Sequence, residues 1–256
     1  MFKSNKNKKF LLISIILIAV ISSFLLFIRK VNYIPTPYEK ELIDYFKEIA
    51  LQSEYDNNPE KIIKWKESML LYVVKEKEFK PQISVIKKVI DNINRLTTDG
   101  FKIILTDNYA KSNSILYLCN REQVYKSNKD FYEMLTKDID YDIAGLAYTE
   151  FSTKTHTIDK ALIFINSEYS FDIQEATILE EITQSLGLAF DSKLYTNSVF
   201  YKEKSKQKVR VKKYSQLDKD IVRLLYHPKM KPGLDSIEVE RVIKKILKLE
   251  KIKLDG

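Results

Sequence analysis

The chain has 256 residues, of which 45% are hydrophobic, 12% aromatic and 30% charged, and this apolar content excludes a largely disordered protein. One cysteine, Cys119, excludes a disulfide framework, and only two histidines leave a conventional zinc site short of ligands. The net charge of +8 is unevenly distributed: residues 1–30 contribute +6, residues 31–200 contribute −7 and residues 201–256 contribute +9. A nucleic-acid-binding protein typically has a basic face with interleaved aromatic side chains, and this distribution does not match that pattern.

The N-terminal segment predicts a membrane anchor. Residues 10–28 form a run of 19 residues with nothing more polar than serine, and a helix of that length extends roughly 28 Å, close to the hydrocarbon thickness of a bilayer. Four lysines precede this run, so the positive-inside rule makes residues 1–9 a cytoplasmic tail. We therefore expect a transmembrane signal-anchor helix at 10–28 with the lipid bilayer as its partner, a stalk at 29–37, and a single-pass protein of the cell membrane whose main domain is extracytoplasmic.

A cleaved signal peptide is the alternative interpretation of this segment. Its apolar region would be about 7–15 residues long and would end in a small-x-small site. The run is longer here, and five further apolar residues follow Ser22-Ser23, which favours an uncleaved anchor. No cysteine directly follows the run, so a lipid anchor is not expected.

The remainder of the chain, residues 38–256, is predicted to form one α+β domain. Segments with apolar residues at helical spacing alternate with short β-branched or aromatic runs. The predicted helices are 38–51, 81–96, 130–135, 171–188, 217–226 and 237–249, and the predicted strands are 61–74, 101–105, 114–119, 143–151 and 158–165. The last two helices each follow a Ser or Asp N-cap with an acidic residue three positions later, at Ser215/Asp218 and Asp235/Glu238.

The helix predicted at 171–188 has the most informative pattern. Glu180 and Gln184 are four residues apart, so their side chains point at the same volume, and Glu181 lies between them and the apolar stripe. Zincin metallopeptidases use this geometry in H-E-x-x-H, where the two histidines bind zinc and the glutamate activates water. Here the same frame reads E-E-x-x-Q, and Gly187 falls where H-E-x-x-H-x-x-G enzymes place their glycine.

These residues also carry a family resemblance. Segment 179–188, the pair Asp191-Ser192 and segment 217–233 resemble a family of bacterial envelope proteins that is described as a domain of unknown function. The resemblance implies a zincin-like α+β fold with a degenerate metallopeptidase helix, and it implies no particular activity. The chain departs from the family in having a predicted membrane helix rather than a lipid anchor, and in its lysine-rich stretch 202–213.

The donor atoms decide whether such a site would bind a metal. Glu180, Gln184 and Asp191 could offer oxygen ligands to a hard cation with Glu181 as general base, and a metal-dependent hydrolase is therefore one hypothesis. Zinc prefers imidazole and thiolate, however, and an amide oxygen is a poor zinc ligand. The other interpretation is that the helix residues form a solvated face or a hydrogen-bonded relic of a lost site. We expect no metal, no cofactor and no zinc-peptidase activity.

The leading hypothesis is a non-catalytic zincin-like module that binds a protein or polymer of the cell envelope. Another hypothesis is polyanion binding through residues 202–213, which are basic but contain no aromatic residue for stacking. Such a stretch is also typical of a solvated loop, and no nucleic-acid partner is expected. Metal content would distinguish the hydrolase from the binding module, and salt-dependent binding would identify the polyanion-binding module.

Overall fold

The computed structural model describes residue 15 and residues 33–52, 61–137, 142–202 and 210–254. These residues form a six-stranded sheet flanked by helices. The strands are β1 (Lys64–Trp65), β2 (Met69–Lys75), β3 (Ile103–Leu105), β4 (Ser114–Cys119), β5 (Gly145–Phe151) and β6 (Thr157–Asn166). The α-helices are α1 (Pro37–Leu51), α2 (Lys80–Leu96), α3 (Arg121–Ser127), α4 (Lys129–Thr136), α5 (Phe171–Gln184), α6 (Gln216–Leu225) and α7 (Ser236–Leu254).

The chain divides into two compact units. One unit is Glu41–Ile243, which contains the whole sheet, and the other comprises Met1–Lys40 and Lys244–Gly256. The candidate site described below lies within the first unit. The predicted single domain over residues 38–256 stays a prediction.

The sheet is mainly parallel, and its order is β1-β6-β4-β2-β3. Strand β4 pairs in parallel with Ala161–Asn166 of β6, while β5 pairs antiparallel with an overlapping part of the same strand. Because both strands pair with the same residues, β4 and β5 lie along opposite edges of β6. Among the described residues β5 is therefore an edge strand, and the fold is a mixed α/β fold rather than a sheet of antiparallel hairpins.

Helices cover both faces of the sheet. Helices α2 and α5 pack against each other, and α5 packs on β5 and β6. Close contact at β5 requires glycine, because a Cβ at Gly145 would lie 2.3 Å from Cγ2 of Thr177 and 2.8 Å from the carbonyl oxygen of Phe164. The opposite face is covered by α3 and α4, whose Val124 and Phe131 join a buried cluster with strand residues that include Tyr117 and Phe164.

Two local differences from the predicted elements have clear physical causes. The predicted strand 61–74 is divided into β1 and β2 by a bend at residues 66–67. Helix α3, which the apolar periodicity did not predict, begins where the side chain of Asn120 accepts a hydrogen bond from the N–H of Gln123, and Asn128 caps α4 in the same way. The predicted capping box at Ser215 and Asp218 is confirmed.

The predicted membrane segment 10–28 lies outside the described residues apart from Ile15, so it stays a prediction. Within the described residues, no helix combines the length and the apolar content needed to cross a bilayer.

Burial predicts an inert thiol at Cys119. This side chain is 0% exposed in β4, and desolvation raises its pKa to about 12, with a further contribution from the charge of Glu76. Because the thiolate is the reactive form, we expect no alkylation by iodoacetamide in the native protein at pH 8, and complete alkylation after unfolding in urea. Mass spectrometry measures both, and modification of the native protein would contradict the burial.

Candidate functional site

The candidate site lies at the C-terminal end of helix α5, and side chains from distant segments hold that end in place. The indole Nε1–H of Trp65, in β1, donates to the carbonyl oxygen of Ser185 at 2.9 Å, and the hydroxyl of Tyr226 donates to that of Leu186, also at 2.9 Å. The last carbonyl groups of a helix have no partner within the helix. These two buried aromatic residues therefore hold the chain at Ser185 and Leu186, directly after the last residue of α5.

Gly187 turns the chain sharply after the helix. Its φ is +99°, and a Cβ there would lie 2.1 Å from the carbonyl oxygen of Ile63. A residue with a side chain would meet both the strain of the left-handed region and a backbone clash. The helix was predicted to continue to residue 188, and it ends at Gln184 because of this turn.

The turn brings two of the predicted site residues together. The side-chain amide of Gln184 donates to Oδ1 of Asp191 at 2.8 Å, and the carboxylate of Asp191 is largely buried, with 12% of its side chain exposed. Glu180 lies one turn earlier than Gln184 on α5 and is half-buried. Asp191 thus contacts the end of the i, i+4 pair although it lies seven residues beyond Gln184.

A lysine that the sequence did not single out completes this arrangement. The N–H of Ser192 donates to the carbonyl oxygen of Phe200 at 2.7 Å, and the N–H of Lys202 donates to that of Ser192 at 2.8 Å. These bonds close the loop 192–202 and place Nζ of Lys202 3.4 Å from Oδ2 of Asp191. Lys202 belongs to the basic stretch 202–213, for which one hypothesis was binding to a polyanionic partner.

Glu181 lies on the sheet side of α5. Its side chain is 6% exposed, and a Cβ at Gly145 would lie 3.0 Å from its Cγ. The interpretation of Glu180, Glu181 and Gln184 as one solvated face is therefore wrong for Glu181. A catalytic role for this residue stays a prediction.

Strand β5 presents main-chain groups at the open edge beside this helix. The N–H of Asn166 donates to the carbonyl oxygen of Ala144, which marks this pair as a hydrogen-bonded one. Hydrogen-bonded and non-hydrogen-bonded pairs alternate in an antiparallel ladder, so the N–H and C=O groups of Gly145, Ala147 and Thr149 point away from β6. These three residues have small side chains and share the sheet face on which α5 packs.

The other end of α5 is tied to the end of the basic stretch. Arg210 and Lys212 both form ion pairs with Asp172, and Lys212 also contacts Glu175 at 3.2 Å. These cations lower the pKa of Asp172, chiefly through hydrogen bonds from Lys212 and Arg210. Three basic residues of the stretch, with Lys202 included, therefore pair with acidic residues of the same chain.

The donor set does not fit a zinc ion. Among the described residues no group of three or more His, Cys, Asp or Glu side chains converges as metal ligands would. At the candidate site a carboxylate, Glu180, and an amide, Gln184, stand at the two positions where imidazoles would be needed, and the Asp191 carboxylate is paired with Lys202. His156 lies in the turn before β6 and His227 follows α6.

This donor set gives a prediction for the purified protein. We expect well under one zinc ion per chain after desalting, and no change in melting temperature on addition of a chelator, because a bound metal would contribute to the free energy of unfolding. Elemental analysis and thermal unfolding with and without EDTA measure the two quantities. Stoichiometric metal that is lost together with stability would support the hydrolase hypothesis instead.

Comparison with known protein families identifies the family of this chain. The model of the family "Protein of unknown function (DUF2927)" matches residues 39–245, and this range includes the sheet and every residue of the candidate site. The chain therefore belongs to this family. No curated protein matches the chain.

Proposed function

We propose that this member of the family is a membrane-anchored, extracytoplasmic binding module with a zincin-like core that binds an extended peptide segment of a cell-envelope partner without catalysis. The open edge of β5 carries this proposal. An edge strand with unpaired N–H and C=O groups can add a further strand, and the main-chain hydrogen bonds then supply affinity that is independent of sequence.

Topology and local geometry support the zincin-like part of the proposal. Four parallel strands precede the antiparallel edge strand and a fifth follows it, and the helix after this last strand packs beside that edge. That helix carries the E-E-x-x-Q frame, ends at a left-handed glycine, and is followed by an acidic residue that contacts Gln184. A zincin helix needs the same order of features to bring a third ligand to its two histidines.

The chemistry of the site supports binding rather than hydrolysis. A zincin activates water through a metal ion, and the hydrogen bond from Gln184 and the ion pair with Lys202 occupy the Asp191 carboxylate. The basic stretch is a weaker candidate for the binding surface, since Lys202, Arg210 and Lys212 all pair within the chain.

A proline in β5 tests the binding surface. Ala147→Pro removes an N–H that points to the open edge and leaves the ladder with β6 intact, because proline is tolerated on edge strands. Seven-residue peptides selected from a random library on the full-length protein should lose about tenfold or more in affinity for the variant, which corresponds to one or two main-chain hydrogen bonds.

The matched control is Ala147→Val, which keeps the N–H and adds a β-branched side chain that suits a strand. It should retain affinity within about threefold. Thermal unfolding of both variants checks that the fold is kept. Selected peptides that bind Ala147→Pro and the parent equally would exclude the β5 edge as the binding surface.

The membrane location has its own test. The protein should sediment with membranes, resist extraction with carbonate, and expose its C-terminal domain to protease only from the outside, because residues 10–28 are long enough to span the bilayer and follow a lysine-rich flank. A mature N-terminus near Ser23 or Phe24 would instead identify a secreted protein.

A further inference from the structure

The last three turns of helix α7 present an unusual surface. On a helical projection at 100° per residue, Lys244, Lys245, Lys248, Leu249, Lys251 and Ile252 fall within an arc of about 160°. The two aliphatic side chains are exposed, Leu249 at 40% and Ile252 at 58%, and Lys245 and Lys251 are exposed as well. Ile246 and Leu247, on the other side of the helix, are buried. We call these six residues the lysine face.

Exposed aliphatic residues among lysines are the pattern of a helix that lies on a lipid surface. The aliphatic side chains can enter the boundary between headgroups and acyl chains, while the lysines bind anionic headgroups and extend their charged ends along the interface.

The unit that contains the lysine face also contains the predicted anchor. Met1–Lys40 and Lys244–Gly256 form one compact unit. Within it, the hydroxyl of Tyr33 donates a hydrogen bond to the carboxylate of Glu39. Burial raises the pKa of Glu39, but hydrogen bonds from Tyr33 and Thr36, together with the charge of Lys251, lower it overall. Lys251 therefore lies close to the segment at Tyr33–Glu39.

Tyr33 follows the end of the predicted membrane helix at Ile28 by only five positions. Five residues span at most roughly 18 Å when fully extended, so the lysine face is within reach of the membrane surface.

We infer that the lysine face docks on anionic phospholipid headgroups of the membrane in which residues 10–28 are anchored. The inference depends on the predicted anchor and not on peptide binding at β5. Docking gives the extracytoplasmic unit a second attachment to the membrane beyond the anchor itself.

Fluorescence in reconstituted vesicles tests this. The full-length variant Ile252→Cys is labelled with the environment-sensitive dye NBD, while the buried thiol of Cys119 stays unlabelled. It is then reconstituted in vesicles of phosphatidylcholine, with or without phosphatidylglycerol, that contain nitroxide-labelled phosphatidylcholine as quencher. With phosphatidylglycerol present, quenching should be about twofold stronger or more, and added salt should reduce the difference.

The test variant adds Lys245→Gln and Lys251→Gln, which should abolish the effect of phosphatidylglycerol. The matched control adds Lys87→Gln and Lys88→Gln, which remove the same charge from exposed positions of α2 and should leave the effect unchanged. Equal quenching in the two kinds of vesicle would overturn the inference. So would a protein that fails to float with vesicles, and that result would reject the anchor too, while peptide binding at β5 is measured independently.

Discussion

The double substitution Glu180→His with Gln184→His is expected to create a zinc site with a dissociation constant of micromolar or lower, about 8 kcal/mol of binding free energy. The two imidazoles would lie one helical turn apart and face the same volume. Asp191 already contacts residue 184 at 2.8 Å, so a carboxylate is in place as the third ligand. Isothermal titration of the double variant with zinc measures the affinity.

Three controls separate a built site from two surface histidines. Each single variant should bind zinc much more weakly, because one histidine cannot close the site, and adding Asp191→Ala to the double variant should remove most of the gain. The ion pair with Lys202 must open for Asp191 to reach the metal, so Lys202→Gln in the double variant should leave zinc affinity equal or higher. Equal, weak binding by the double variant and both singles would end the zincin hypothesis.

Gly187→Ala is expected to lower the free energy of unfolding by about 3–4 kcal/mol. The left-handed conformation costs a non-glycine residue about 1–2 kcal/mol, and relieving a clash with backbone atoms costs a similar amount or more. The clash arises because the new Cβ would lie 2.1 Å from the carbonyl oxygen of Ile63. Urea unfolding of the purified protein, followed by tryptophan fluorescence of Trp65, measures the change.

Gly100→Ala is the matched control, because Gly100 has φ +101° and no atom within 4 Å of the position of a Cβ. It should carry the conformational cost alone, about 1–2 kcal/mol. If both variants lose the same stability, the backbone of Ile63 moves away at little cost, and Gly187 does not fix the path of the chain after α5.

Local patterns were enough to predict much of the fold. Strand β4 was predicted with the observed bounds and α2 to within one residue, because their apolar residues follow the period of a strand or a helix without interruption. The i, i+4 spacing of Glu180 and Gln184 placed the candidate site at the end of α5, and its role stays a prediction. Asp191 was also named from sequence, as the nearest acidic residue after the glycine, and it contacts Gln184.

Contacts between distant segments could not be predicted from those patterns. Nothing in the sequence around Trp65 shows that its indole donates to Ser185, 120 positions away. The burial of Glu181 follows from the close approach of α5 to Gly145, which is a property of strand pairing and not of helix periodicity. Lys202 reaches Asp191 only because the loop 192–202 is closed by backbone hydrogen bonds.

The way in which α5 is held also affects how this family can evolve. The hydrogen bonds from Trp65 and Tyr226 go to backbone carbonyl oxygens, so they do not depend on which side chains occupy positions 180, 181 and 184. Substitutions at the partly exposed positions 180 and 184 therefore change the chemistry of the site without removing these two hydrogen bonds. A search for members of the family with metal-binding side chains should therefore compare positions 180, 184 and 191 directly rather than rely on overall similarity.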